Sequence, residues 1–232
     1  MLFLKFGKKE HLQQLKEGIV HFRPLSSFIE DTSNFRGDRL EGSLLIDTSC
    51  PILINGFDIA PYTKEAVQTF VGFDSILSFS ISKLDHTNCH AIKDGLFALN
   101  DDFIEEMKQF GSHVLIFSAD DFIRGLTKAI EKHKCICAYG PISYYDKTDH
   151  AKISKHFQSL ADSENPYEYC FIKDFFPYSK QNEWRVIIDD VNDEFHINDT
   201  GGVNIKTEFH TEMPIFDTTA LTTLQASEEY LK

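Results

Sequence analysis

One short segment carries the groups that a site for a charged ligand needs. In Lys180-Gln181-Asn182-Glu183-Trp184-Arg185-Val186-Ile187-Ile188 an amide, a carboxylate and a guanidinium stand at alternate positions. On a strand, alternate side chains share a face. The spacing therefore predicts Gln181, Glu183 and Arg185 on one side and Asn182, Trp184 and Val186 on the other. Setting charged groups beside buried apolar ones is costly unless they are paired. Two readings are open on the strand alone: a concave, nucleotide-sized site at its start, or a solvated face bearing a Glu/Arg neighbour pair.

A second constellation lies at the N-terminus. Lys5-Phe6-Gly7 is followed by Gly18-Ile19-Val20-His21-Phe22-Arg23-Pro24-Leu25-Ser26-Ser27-Phe28. The order is strand, helix, glycine, strand, Pro-Ser turn, aromatic. Lys5 and Arg23 have the charge to hold a pyrophosphate, and Gly7 lets a backbone approach closely. Phe22 or Phe28 can stack on a flat ring. Read one by one, the same phenylalanines are core residues and the same basic residues are solvated.

Other clusters carry less. His86-Thr87-Asn88-Cys89-His90 gathers two histidines and a thiol, and Cys135-Ile136-Cys137 adds two sulfurs. Structural zinc wants Cys or His pairs spaced by about two to five residues, and Cys-x-Cys is too tight, so no metal is expected. Arg36-Gly37-Asp38-Arg39-Leu40-Glu41-Gly42 is either a loop over a substrate or a solvated surface loop with local ion pairs. Neither a phosphate-binding P-loop nor a dinucleotide-binding glycine pattern is present.

The elements that must position these residues follow from periodicity and punctuation. Strands are expected at 3–6, 19–23, 43–47, 52–55, 75–82, 113–118, 135–145 with a break at Gly140-Pro141, 184–189, 194–198 and 203–209. In 75–82, Ile76, Ser78, Ser80 and Ser82 alternate with Leu77, Phe79 and Ile81, a half-buried pattern. Helices are expected at 8–18, from Pro24 through Phe28, and at 101–110, 119–133, 149–160 and 218–232. Ser118 or Asp120 caps 119–133. Gly201-Gly202 suits a hairpin turn between the strands 194–198 and 203–209. The expected fold is α+β, a single domain over 1–232, with mixed or antiparallel sheets and interspersed helices.

The chain has 232 residues, is 42% hydrophobic and 25% charged, and carries a formal charge of −13. That excludes a mostly disordered chain and a small disulfide scaffold. A chain this long buries roughly 70% of its unfolded surface without disulfide or metal. The acidic surface repels duplex nucleic acid and anionic membranes. No apolar run approaches the roughly 18 residues of a membrane-spanning helix. At the N-terminus the apolar residues precede Lys8 and Lys9, the reverse of a signal peptide, and the five cysteines are odd in number. The expected location is the cytoplasm, with reduced thiols.

Taken together, Lys5-Phe6, Leu12, Leu15, Gly18, Val20, Phe22 and Phe28, the run from His113 to Phe117 ahead of Asp121-Phe122, and Gln181-x-Glu183-Trp184-Arg185 resemble a broad, largely uncharacterised bacterial family. Abortive-infection and toxin-like proteins, including phage-defence effectors, occur around it. The layout also resembles the ADP-ribosyltransferase superfamily. There a basic residue on the first strand grips NAD, a Ser- or Tyr-bearing strand with an aromatic follows, and a late [QE]-x-E strand supplies the catalytic glutamate. That resemblance implies Lys5, Phe6, Gly7, Arg23, Ser26, Phe28 and Arg185 as NAD-binding residues and Glu183 and Gln181 as catalytic residues. Cleavage of the nicotinamide–ribose bond passes through an oxocarbenium-like state, as glycoside hydrolysis does. Glu183 would stabilise that cation and bind the 2′-hydroxyl, and Gln181 would orient the acceptor. The implied partners are NAD as substrate, a macromolecular acceptor and a neutralising antitoxin. The alternative is a non-catalytic nucleotide- or protein-binding module on the same fold.

Overall fold

The computed structural model describes the chain apart from residues 32–36, 47, 49–50, 65, 70–74, 94–95, 147–148, 150–164, 166, 191, 193, 224 and 228–232. The chain divides into two compact units. The larger comprises Met1–Pro24, Ser75–Pro141 and Lys180–Lys232, and the smaller comprises Leu25–Asp74 and Ile142–Ser179. The fold class is α+β with antiparallel sheets and interspersed helices, dominated by one sheet.

That sheet has eight strands and belongs to the larger unit. They are β1 (Leu2–Gly7), β2 (Ile19–Pro24), β3 (Ile76–Lys83), β4 (His113–Ser118), β5 (Ile136–Pro141), β6 (Glu183–Asp189), β7 (Val203–Lys206) and β8 (Ile215–Asp217). The order is β5-β6-β3-β1-β4-β8, with β2 paired to β3 and β7 paired to β2. Every pairing in it is antiparallel. One edge of β3 pairs with β6 from Ile76 to Ser82. The other edge is shared: β1 takes Ser82 and Lys83, and β2 takes Leu77 and Ser78.

Alternation gives the sheet two apolar faces. On one side Phe3, Leu77, Phe79, Ile81, Trp184, Val186 and Ile188 pack with Phe122, Leu126 and Ile130 of α4 (Ala119–Ile130). Ser118 caps α4 by accepting from the Asp121 amide, as its position predicts. Leu12 and Leu15 of α1 (Lys9–Lys16) join this core. Gly18 ends that segment at φ 86°, where a Cβ would lie 2.1 Å from the Thr207 carbonyl oxygen. On the opposite side Leu4, Phe6, Val114 and Ile116 pack under Phe103, Ile104 and Met107 of α3 (Asp101–Met107).

Several expectations need correction. The segment 194–198 is a loop, because the Asp190 carboxylate accepts the Glu194 and Phe195 amides at 2.8 and 2.9 Å. Gly201-Gly202 does turn the chain, with Asn198 N bonding Gly202 O at 2.7 Å, but β7 leaves it to pair with β2. The tail from Thr218 is a 3₁₀ turn to Thr223 and then a short strand at Gln225–Ser227. The expected helix at 149–160 falls almost wholly outside the described residues. No helix among the described residues is long and apolar enough to cross a membrane.

In the smaller unit a short helix, α2 (Ser26–Glu30), is followed by antiparallel pairs, Ser43–Ile46 with Ala66–Thr69 and Leu53–Ile54 with Phe57–Asp58. The second pair turns at Asn55-Gly56, both at positive φ. Ser143–Tyr145 pairs in parallel with Ile172–Asp174, and a four-residue helix, Phe175–Tyr178, follows.

Candidate functional site

Glu183 and Arg185 lie on β6, a strand buried along its whole length. Their face of the sheet is opposite Trp184, Val186 and Ile188. Direct cross-strand partners share a face. Glu183 therefore stands with Ser82, Arg185 with Ser80, and Arg23 with Ser78. The result is a polar patch on an otherwise apolar sheet: Arg23, Ser78, Ser80, Ser82, Glu183 and Arg185.

Three donors converge on one carboxylate oxygen of Glu183. Ser80 Oγ donates at 2.6 Å, Arg185 Nε at 2.9 Å and Arg185 Nη2 at 2.8 Å. Glu183 is 6% exposed and Arg185 1%. Taking two ions out of water costs several kcal/mol each, and their attraction offsets this only with good geometry. Here the strand repeat and the Ser80 hydroxyl supply it. Ser78 differs: its hydroxyl is buried, with no hydrogen-bond partner among the described residues.

Gln181 is buried beside this patch, but it does not extend the alternation. It ends a 3₁₀ turn (Ser179–Gln181), and Asn182 then adopts φ 44°. Asparagine visits that region more readily than most residues. Asn182 holds the corner through Nδ2 to Lys83 O at 2.8 Å, while its own carbonyl accepts the Lys83 amide at 2.9 Å. The strand periodicity starts only at Glu183, so the shared face covers Glu183 and Arg185 alone.

The N-terminal residues divide. Lys5 projects to the sheet face opposite Glu183. Its ammonium lies 4.5 Å above the Phe79 ring and donates to the Ser80 carbonyl, where the ladder passes from β1 to β2. Ser80 thus touches both, by its carbonyl to Lys5 and by its hydroxyl to Glu183. Arg23 is half-buried on the Glu183 face. Phe6 is committed to the core, edge-on to Phe103 at 5.8 Å. Phe22 is fully buried against Phe79 and offers no stacking surface. The backbone that comes close to Gly7 is Gly111, whose Cβ, if it had one, would lie 2.2 Å from the Gly7 carbonyl carbon. Ser26 and Phe28 belong to the smaller unit and are half-buried there.

The sequence reading missed Ser80 and Ser78. Their signal is the alternating serines of β3, which composition reads as an ordinary half-buried strand. Only the register with β6 turns Ser80 into a ligand of Glu183. Two of the thiols, Cys89 and Cys137, are poor nucleophiles: burial pushes Cys89 up to about 12 and Cys137 up to about 11. Among the described residues no group of His, Cys, Asp or Glu is placed to hold a metal ion. Comparison with family models, with curated proteins and with solved structures gives no match.

Proposed function

We propose that the protein is an ADP-ribosyltransferase-like enzyme that uses NAD as substrate and modifies a macromolecule, in the manner of a toxin or phage-defence effector. The observation that carries the reading is the Glu183 carboxylate, buried on a polar sheet face and oriented by Ser80 and Arg185. A fixed, desolvated carboxylate is what stabilises an oxocarbenium-like ribose as charge develops. Arg23 and the Ser78 hydroxyl supply a cation and a hydrogen-bonding group on the same face. Arg23 serves the phosphates, and Gln181 orients the acceptor. Lys5, held to the Ser80 carbonyl, braces the strand rather than gripping the pyrophosphate.

The test is nicotinamide release from NAD by the purified protein, with or without a cell lysate as acceptor source. Release should be lost in Glu183→Gln while the circular dichroism spectrum is retained. Equal release by both forms refutes the assignment. The second reading is a non-catalytic nucleotide- or protein-binding module. It draws on the same ion pair, since Arg185 holds Glu183 at 2.8 Å as a purely structural partner would. It predicts NAD binding without nicotinamide release from either form.

A further inference from the structure

A second buried charge cluster lies in the smaller unit. Asp38, Lys173 and Asp174 are each 4% exposed and Glu41 is 1%. Lys173 Nζ is 3.7 Å from Glu41 Oε2 and 4.5 Å above the Tyr178 ring. Asp174 caps the helix Phe175–Tyr178, accepting the Phe176 amide at 3.1 Å. Tyr178 donates its hydroxyl to the Gly37 carbonyl. Gly37 itself has no room for a side chain, since a Cβ would lie 1.6 Å from the Asp31 carbonyl oxygen.

Asp38 is bonded within its own turn. Its Oδ1 accepts the Leu40 amide at 2.9 Å. Its Oδ2 is buried without a hydrogen-bond partner among the described residues. The groups facing it are Glu41 on its own turn and Lys173 and Asp174 on the strand Ile172–Asp174. Tyr178 packs from the following helix, with Asp31 also near that phenol. Of these only Lys173 favours a negative charge, and Glu41 already engages it. An ionised carboxylate with one bare, dry oxygen is costly, and protonation removes the charge.

We propose that the turn 37–42 is a proton-operated clasp: a proton on Asp38 keeps the turn docked against Lys173 and Tyr178, and loss of that proton loosens it. Burial, and after it the Glu41 charge, push the Asp38 carboxyl up to about 6 from 3.8. The closed turn therefore binds the proton more tightly than the open one. Docking is strongest below pH 3.8, weakens through the interval up to about 6, and is weakest above it.

Amide hydrogen exchange on the full chain tests this. The reporters are the Leu40 amide, bonded to Asp38 Oδ1, and the Glu41 amide, bonded to Asp38 O; the reference amides are Val186 and Ile187 in β6. Corrected for intrinsic exchange, reporter protection should fall by up to about a hundredfold from about pH 4 to 7, as a two-unit shift requires. The reference amides should not follow it, and Asp38→Asn should abolish the fall. A reporter that merely tracks the reference, or an undiminished fall in Asp38→Asn, overturns the proposal. Should that variant not fold, the carbon-13 shift of the wild-type Asp38 carboxyl decides: a midpoint near 6 supports the clasp, and one near 4 defeats it.

Discussion

Glu183 and Asp38 are both carboxylates removed from water, at 6% and 4% exposure, yet their surroundings answer them differently. Glu183 sits on a strand, where register delivers the Ser80 hydroxyl from the neighbour and the strand repeat delivers Arg185. Asp38 sits in a turn, where among the described residues its carboxylate accepts from the local Leu40 amide alone. Burial alone does not fix the state of an acid; the number and charge of the donors that reach it decide. A sheet brings donors from distant sequence to a fixed distance, whereas a turn offers mainly its own amides.

The contrast can be broken experimentally. The largest effect is expected from Glu183→Ala, which removes the carboxylate 2.8 Å from the buried Arg185 guanidinium. Urea unfolding should show a loss of about 3–5 kcal/mol. A loss below about 1 kcal/mol would mean that Arg185 does not depend on Glu183. Ser80→Ala removes one charge-assisted hydrogen bond and should cost about 1.5–3 kcal/mol by the same measurement.

Asp38→Asn should have the opposite sign. The raised carboxyl contributes stability that is fully present below pH 3.8 and gone above about 6. At pH 7.5 the wild type holds an ionised carboxylate there, and the amide should stabilise by about 1–2 kcal/mol, one pKa unit being about 1.4 kcal/mol. At pH 4 the gain should vanish. Thermal melts at the two pH values check both signs, and a destabilised variant at pH 7.5 would place Asp38 in the same class as Glu183. The smallest effect belongs to Lys180→Ala. Its pair with Asp102, 3.4 Å apart, has side chains 56% and 64% exposed, so the change in unfolding free energy should stay within about 0.5 kcal/mol.

What the sequence reveals of the fold is what local pattern encodes. The alternation of β3 and the apolar face of α4 with its Ser118 cap are legible because neighbouring residues determine them; the break expected at Gly140-Pro141 is not, since β5 stays paired with β6 through both residues and ends before Ile142. The loop at 194–198 is not, since its residues have strand character until Asp190 takes two of its amides. Nor is the pairing of β7 with β2, which Gly201-Gly202 would direct into a local hairpin. At the site, Glu183 and Arg185 are readable from spacing. Ser80 is not, because it meets Glu183 across 103 residues. Gln181 shows the limit of spacing itself: a single left-handed residue, Asn182, ends the rule that links it to Glu183. The turn 37–42 reads as a substrate loop or a solvated loop, and neither reading anticipates buried carboxyls. Asp38 and Glu41 are buried there because Lys173 and Tyr178, far along the chain, cover them.

The pairing of β3 with β6 also has a consequence for the chain as it is made. Roughly 100 residues must be added after β3 before its partner exists, which at about 5–20 residues per second takes on the order of 5–20 s. Throughout that interval one flank of β3 lacks the strand that will occupy it. A nascent polypeptide cut short before Glu183 keeps that bare flank permanently, and an open flank is where chaperones bind and where wrong chains add on.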